Sequence, residues 1–253
     1  MATSYYLAFD GYGFFNEGAS PQLSRHALIS SDYVYVPDDT AIEIPFYTED
    51  DIEIVYTRDG SQTTVDLASN FDNTAASAVE YVTFTPNTND TSYVINVYDD
   101  GQTTLLKSIN LIPVCEPKFT PYKVTFLNKH GAYQDMYFFK KAVESMSVTD
   151  ELYKANIINT STVTYPTYKG QQERYNVAAT KKVQLNTGFV NEDFNLAVEE
   201  LLLSENVWIR WESRTLPVIV RTNDHTYKTS LNDKLINHTL DFEFAFSKIN
   251  NIK

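Results

Sequence analysis

The only cysteine of the chain, Cys115, sits between Pro113 and Pro117. A cysteine nucleophile needs a base to raise its thiolate fraction and a third group to orient that base. His130 is a conceivable partner, but nothing in the sequence places it near Cys115, and no family signature surrounds either residue. The plainer expectation for Cys115 is a small, half-buried side chain at a junction. His26, His130, His225 and His238 are widely spaced and fit neither an HExxH nor a CxxC…H pattern, so a zinc site has no spacing to support it. Surface or strand-end histidines are the expectation.

Carboxylates cluster at Asp38-Asp39, Glu49-Asp50-Asp51 and Asp99-Asp100. Calcium takes oxygen ligands from such loops, but none of these clusters matches the twelve-residue EF-hand spacing. Adjacent acids solvating turns are expected instead. A glycosidase would need two opposed carboxylates, whose separation a sequence does not give. Gly11, Gly13 and Gly18 miss the dinucleotide-binding GxGxxG and precede no helical pattern. Neither GxSxG nor a Walker A motif occurs. Lys140-Lys141 and Lys181-Lys182 read as solvated strand ends rather than a phosphate track. Tyr5, Tyr6, Phe9, Tyr12, Phe14 and Phe15 crowd a loop-like start. They suit either a core role or an arm packed on a neighbouring subunit, because an aromatic body with a polar tip serves both. No catalytic, cofactor or metal residue is therefore assigned.

The elements that would position these residues are mostly strands. Segments 33–37, 41–46, 51–57, 81–85 and 92–98 are rich in Val, Ile, Tyr and Phe. Ile42 and Ile44 flank Glu43, and Ile52 and Ile54 flank Glu53, the alternation of half-buried strands. Asp59-Gly60 and Asp100-Gly101 are hairpin signals, since both residue types tolerate the positive φ of tight turns. In the second half, 122–128 and 133–139 read as strands joined at Gly131. The helix expected over 191–206 places Phe194, Val198, Leu201 and Leu202 on one stripe, with Asn191 as its cap. Four further strands are expected at "VWIRW", "LPVIVR", "HTYKTS" and "HTLDFEFAF", the last presenting Leu240, Phe242, Phe244 and Phe246 on one face.

Residues 1–113 carry three basic against 17 acidic side chains, a balance of −14, whereas residues 114–253 balance at +1. The step coincides with Pro113, Pro117 and Pro121, which lack the N–H that ladders need. Two units are expected: an acidic β-sandwich over 1–113, immunoglobulin-like in architecture, and an α+β, barrel-like assembly domain over 118–253. The whole is mainly β with one main helix. An acidic half repels phosphates, which argues against specific nucleic-acid binding. One cysteine allows no internal disulfide, and no secretory signal or membrane-length apolar run is visible. The sequons at Asn89, Asn159 and Asn237 then read as chance, and synthesis in a cytoplasm is expected.

Three stretches, "CEPKFTPYKVTFLNKHGAYQDMYFFKK", "LNTGFVNEDFNLAVEELLLSENVWI" and "YKTSLNDKLINHTLDFEFAFSKIN", carry a family likeness. The chain resembles structural tail and neck proteins of tailed phages that infect Bacteroidetes, crAss-like phages among them. The resemblance covers most of 114–253. It implies a tail hub or neck-ring subunit of the virion, assembling with copies of itself and other tail or neck proteins around a channel for DNA, with no membrane partner, cofactor or enzymatic step. A glycan-binding, adhesin-like module of the virion is the alternative, its exposed tyrosines forming the sugar platform.

Overall fold

The structure, a computed structural model, describes residues 10–17, 26–48, 51–58, 60–67, 79–87, 93–158, 161, 163–229 and 236–249. Tyr5, Tyr6, Phe9, Gly18, Glu49, Asp50, Asp59, Asn89 and Asn159 of the sequence reading lie outside them. Among the described residues the fold is mainly β with one α-helix. In the first half run β1 (His26–Ala27), β2 (Tyr33–Pro37), β3 (Ile42–Tyr47), β4 (Ile52–Arg58), β5 (Ser61–Leu67), β6 (Val79–Phe84), β7 (Tyr93–Asp99) and β8 (Leu105–Val114). They form a three-stranded sheet, β1-β3-β6, and a five-stranded sheet, β2-β8-β7-β4-β5, antiparallel except for the β2–β8 pair.

Period-2 alternation drives this half. Ile42, Ile44, Ile52 and Ile54 all point into one core with Val34, Val36, Phe84, Ile95, Val97 and Ile109. The two hairpin glycines sit at positive φ, Gly60 at +79° and Gly101 at +77°, as their turns require. Pro113 lies inside β8 rather than in a linker. Its missing N–H falls beyond Asn110, where pairing to β7 has already ended.

The second half contains β9 (Tyr122–Leu127), β10 (Tyr133–Phe138), β11 (Val143–Lys154), β12 (Gln172–Asn186), α1 (Phe194–Leu203), β13 (Val207–Trp211), β14 (Arg214–Val220) and β15 (Thr239–Phe244). One seven-stranded sheet runs β10-β9-β13-β14-β15-β12-β11. The helix lays Phe194, Ala197, Val198 and Leu201 on it, completing a second core with Phe126, Phe138, Leu185, Ile209, Leu240 and Phe242. β10 belongs to both cores. Met136 and Phe138 enter the second, while Tyr137 and Phe139, the residue just past the strand, enter the first. Successive strand side chains point to opposite faces, so this strand is clasped between the two. Tyr35 adds a tie, accepting the Asn191 N–H at 2.7 Å and meeting Phe194 edge-on at 5.5 Å.

Several expectations need correction. The helix is shorter than 191–206, and Asp193, not Asn191, occupies the cap position, without a side-chain capping bond. Residues 225–229 of "HTYKTS" form no strand. Phe246 lies past the end of β15 and is 45% exposed, outside the face of Leu240, Phe242 and Phe244. The two longest strands, β11 and β12, are not expected from sequence beyond a strand end at Lys181-Lys182.

Gly131, at φ +74°, lets the β9–β10 turn touch the amino-terminal segment, and a Cβ there would stand 2.9 Å from the Asp10 nitrogen. Gly131→Ala is expected to cost about 1–2 kcal/mol from left-handed strain, plus the clash. Gly60 has a similar φ, but a Cβ at that position would meet open space. Urea melts should show the smaller loss for Gly60→Ala; equal losses would remove the close approach as a cause.

Candidate functional site

β11 and β12 pair from Val143 opposite Gln184 to Lys154 opposite Gln172, with one register shift between Thr149 and Glu151. On its other edge β12 meets β15 only from Lys182 to Asn186. The last support outward is Ala179, whose carbonyl accepts the Lys248 N–H at 2.7 Å. Beyond it, among the described residues, the ribbon has two strands only, extending about 20 Å to its outer end at Lys154 and Gln172. Every residue of β11 is exposed.

The base of this arm is anchored through Lys181. Its ammonium pairs with Glu144 at 2.7 Å and lies 4.2 Å from the centre of the Trp211 ring. Farther out, Arg174 pairs with Asp150 at 2.9 Å, and Tyr153 meets Tyr175 edge-on at 5.6 Å. Hydrogen bonds from Tyr175 and Asn176 lower the Glu151 carboxyl below its usual value. These cross-strand pairs stiffen the ribbon. They leave Met146 and Val148 uncovered on the face that continues the core side of the sheet past Val183. Between the two strands of the arm, Val163 is 96% and Tyr168 86% exposed.

Chemically, the arm carries neither a cysteine nor a histidine. It offers the outer edge of β11, which has no strand beside it among the described residues and no proline along it, and apolar side chains next to that edge. Exposed edges of this kind extend a sheet into another chain, and natural proteins otherwise blunt them. An isolated two-stranded ribbon is marginally stable alone, so a partner surface is the physical complement it lacks.

The residues that first suggested chemistry are dispersed. Cys115 is exposed on the β8–β9 connection, not half-buried. His130 is buried in the β9–β10 turn, its backbone N–H bonded to the Asn128 side-chain carbonyl at 3.0 Å. Among the described residues no group of three or more His, Cys, Asp or Glu could hold a metal ion. Asp39 accepts a bond from the Asn87 amide. Asp99 pins its own hairpin loop, accepting Thr103 Oγ1 at 2.7 Å and the Thr104 N–H at 2.6 Å, which lowers its carboxyl to about 2. Lys140 pairs with Glu116 at 2.6 Å, and Lys181 and Lys182 lie within β12 rather than at a strand end. Tyr12 folds back, its N–H bonded to the Lys129 carbonyl at 2.9 Å, while Phe15 is fully exposed.

Two groupings were invisible in the spacing. His225 and His238, far apart in sequence, meet with ring centres 5.4 Å apart; His238, just before β15, is buried rather than at the surface, and His225 is half-buried. Glu200, on the helix, is buried against Ser30 and Lys129. No family model matches the chain, and neither the curated proteins nor the solved structures contain one significantly similar to it.

Proposed function

We propose that the chain is a structural subunit of a tailed-phage virion, a tail hub or neck-ring component that acts by assembling with copies of itself. It works alongside other tail or neck proteins, and no bond in an outside molecule is made or broken. The observation that carries this reading is the exposed β11–β12 arm, a free-standing ribbon with an open edge and uncovered Met146 and Val148. A head-to-tail contact through such an edge closes into a ring when its rotation permits. The virion context rests on the resemblance of three stretches within 114–253 to phage tail and neck proteins, with no family model or similar known protein beside it. Residues 1–113 are read as an immunoglobulin-like sandwich and 118–253 as a barrel-like assembly domain. The acidic character of the former suits a channel wall that does not grip DNA.

Light scattering and electron microscopy of the purified chain test the proposal. The wild type is expected to form rings or defined oligomers, and Met146→Asp with Val148→Asp is expected to leave a folded monomer. A wild type that stays monomeric at high concentration would sink the assembly reading. Reproducible glycan-array binding, lost on replacing Tyr165 and Tyr168, would favour the adhesin alternative.

A further inference from the structure

Glu200 stands where three pieces of chain meet. They are α1, the loop between β1 and β2 that carries Ser30, and the β9–β10 turn with Gln134 behind it. Backbone groups fix the amide orientations around it. Asn128 Oδ1 accepts the N–H groups of His130 at 3.0 Å and Ala132 at 3.1 Å. Its Nδ2 therefore donates, to the Leu28 carbonyl at 2.7 Å and to Gln134 Oε1 at 3.2 Å. Gln134 Oε1 also accepts the Ser30 N–H at 3.1 Å, so this atom is the amide oxygen and not the nitrogen.

The Ser30 hydroxyl lies 2.8 Å from that same Gln134 Oε1 and 2.7 Å from Glu200 Oε2. A hydroxyl has one proton to give. Two oxygens at these separations are bonded only with a proton between them. If Ser30 donates to Gln134, the proton between Ser30 and Glu200 must come from the carboxyl. If Ser30 donates to Glu200 instead, its contact with Gln134 sets lone pair against lone pair.

We propose that the Glu200 carboxyl is a hydrogen-bond donor in the folded chain, and that its O–H, given to Ser30, is a latch closing the junction between the helix and the first half of the chain. Burial works in the same direction, raising the carboxyl above its ordinary value of 4.5, and the neighbouring Glu199 adds to it. Lys129, from the β9–β10 turn, opposes the shift through its charge and donates its backbone N–H to Glu200 Oε2 at 3.2 Å. Tyr12, from the amino-terminal segment, donates to the Glu200 backbone carbonyl at 3.4 Å. Ser30 brings no charge, but a Ser30 hydroxyl donating to an ionised Glu200 would lower the carboxyl, and burial outweighs that contribution.

A carboxyl whose folded value is raised binds its proton more tightly in the folded chain than in the unfolded one. The latch therefore contributes stability that is whole below the unfolded value of 4.5 and is lost as pH rises through the folded one.

The test is a carbon-13 NMR titration of glutamate side chains in the intact protein, with Glu200→Gln assigning the resonance. Glu200 is expected to titrate above 4.5, and a midpoint at or below 4.5 would overturn the proposal. Ser30→Ala separates the two donor assignments. A carboxyl that donates to Ser30 loses a stabilised protonated form, so its midpoint should move down. An ionised carboxylate that accepts from Ser30 would move up, and that result also overturns the latch. Amide exchange at Ser30, corrected for intrinsic rate, should lose protection across the same midpoint in the wild type and not in Glu200→Gln.

Discussion

Phe242→Ala is expected to remove about 3–5 kcal/mol of folding stability, the range for a fully buried phenylalanine that leaves a cavity behind. Phe242 is entirely inaccessible and meets Phe138 edge-on at 5.8 Å. Its strand, β15, is the one that joins β14 to β12, with Phe242 opposite Val220 on one side and Val183 on the other. The surroundings are held from both flanks by backbone pairing and from above by α1, so collapse into the space is restricted. A domain of ordinary stability has about 5–15 kcal/mol in all, so the variant should approach the unfolding threshold. Phe246→Ala, four residues on, 45% exposed and touching Phe244 edge-on, should cost much less, about 0.5–1.5 kcal/mol. Urea denaturation at matched pH measures both. Similar losses at the two positions would mean that β15 does not anchor the second core.

Leu240, Phe242 and Phe244 are legible in sequence because one face of β15 is buried and the other is not, the condition that produces period-2 alternation. Phe246 continues the pattern in sequence after the strand has ended. The same logic explains the silence over β11. Its residues are exposed on both faces, so burial imposes no alternation on "VESMSVTDELYK". The helix stripe is legible in Phe194, Val198 and Leu201, but Glu200 is not. A charged residue beside Glu199 carries no local sign that a loop 170 positions earlier will bury it. Likewise Asn191 resembles a cap by type, yet its N–H is engaged by Tyr35, a long-range contact that local propensity cannot contain. The arm is thus hidden by lack of burial, and the Glu200 junction by burial through distant partners.

Acid should destabilise the fold through His238, and the direction is fixed by its surroundings. The residue is 4% exposed, its Nε2 has no hydrogen-bond partner among the described residues, and the His225 ring lies 5.4 Å away. Burial chiefly, then the neighbouring charge of His225 and Lys228, lowers its pKa from 6.5 to about 4. Unfolded chain therefore takes up a proton below 6.5 that folded chain refuses until about 4. Stability is whole above 6.5 and falls as pH drops through that window. An unscreened shift of this size corresponds to about 3 kcal/mol, and solvent reaching the neighbouring His225 reduces it to about 2 kcal/mol. Asp99, lowered to about 2, loses its contribution only at more acid pH, below the ordinary carboxylate value of 3.8. His238→Phe keeps a ring against His225 and has no nitrogen to charge. Urea midpoints should show little change in this variant near neutral pH, because the lost Nε2 was unpaired, and a flatter decline than wild type between about pH 6.5 and about pH 4. Parallel declines in the two proteins would place the acid sensitivity elsewhere, whereas a steeper decline in the variant would reverse the sign argued from burial.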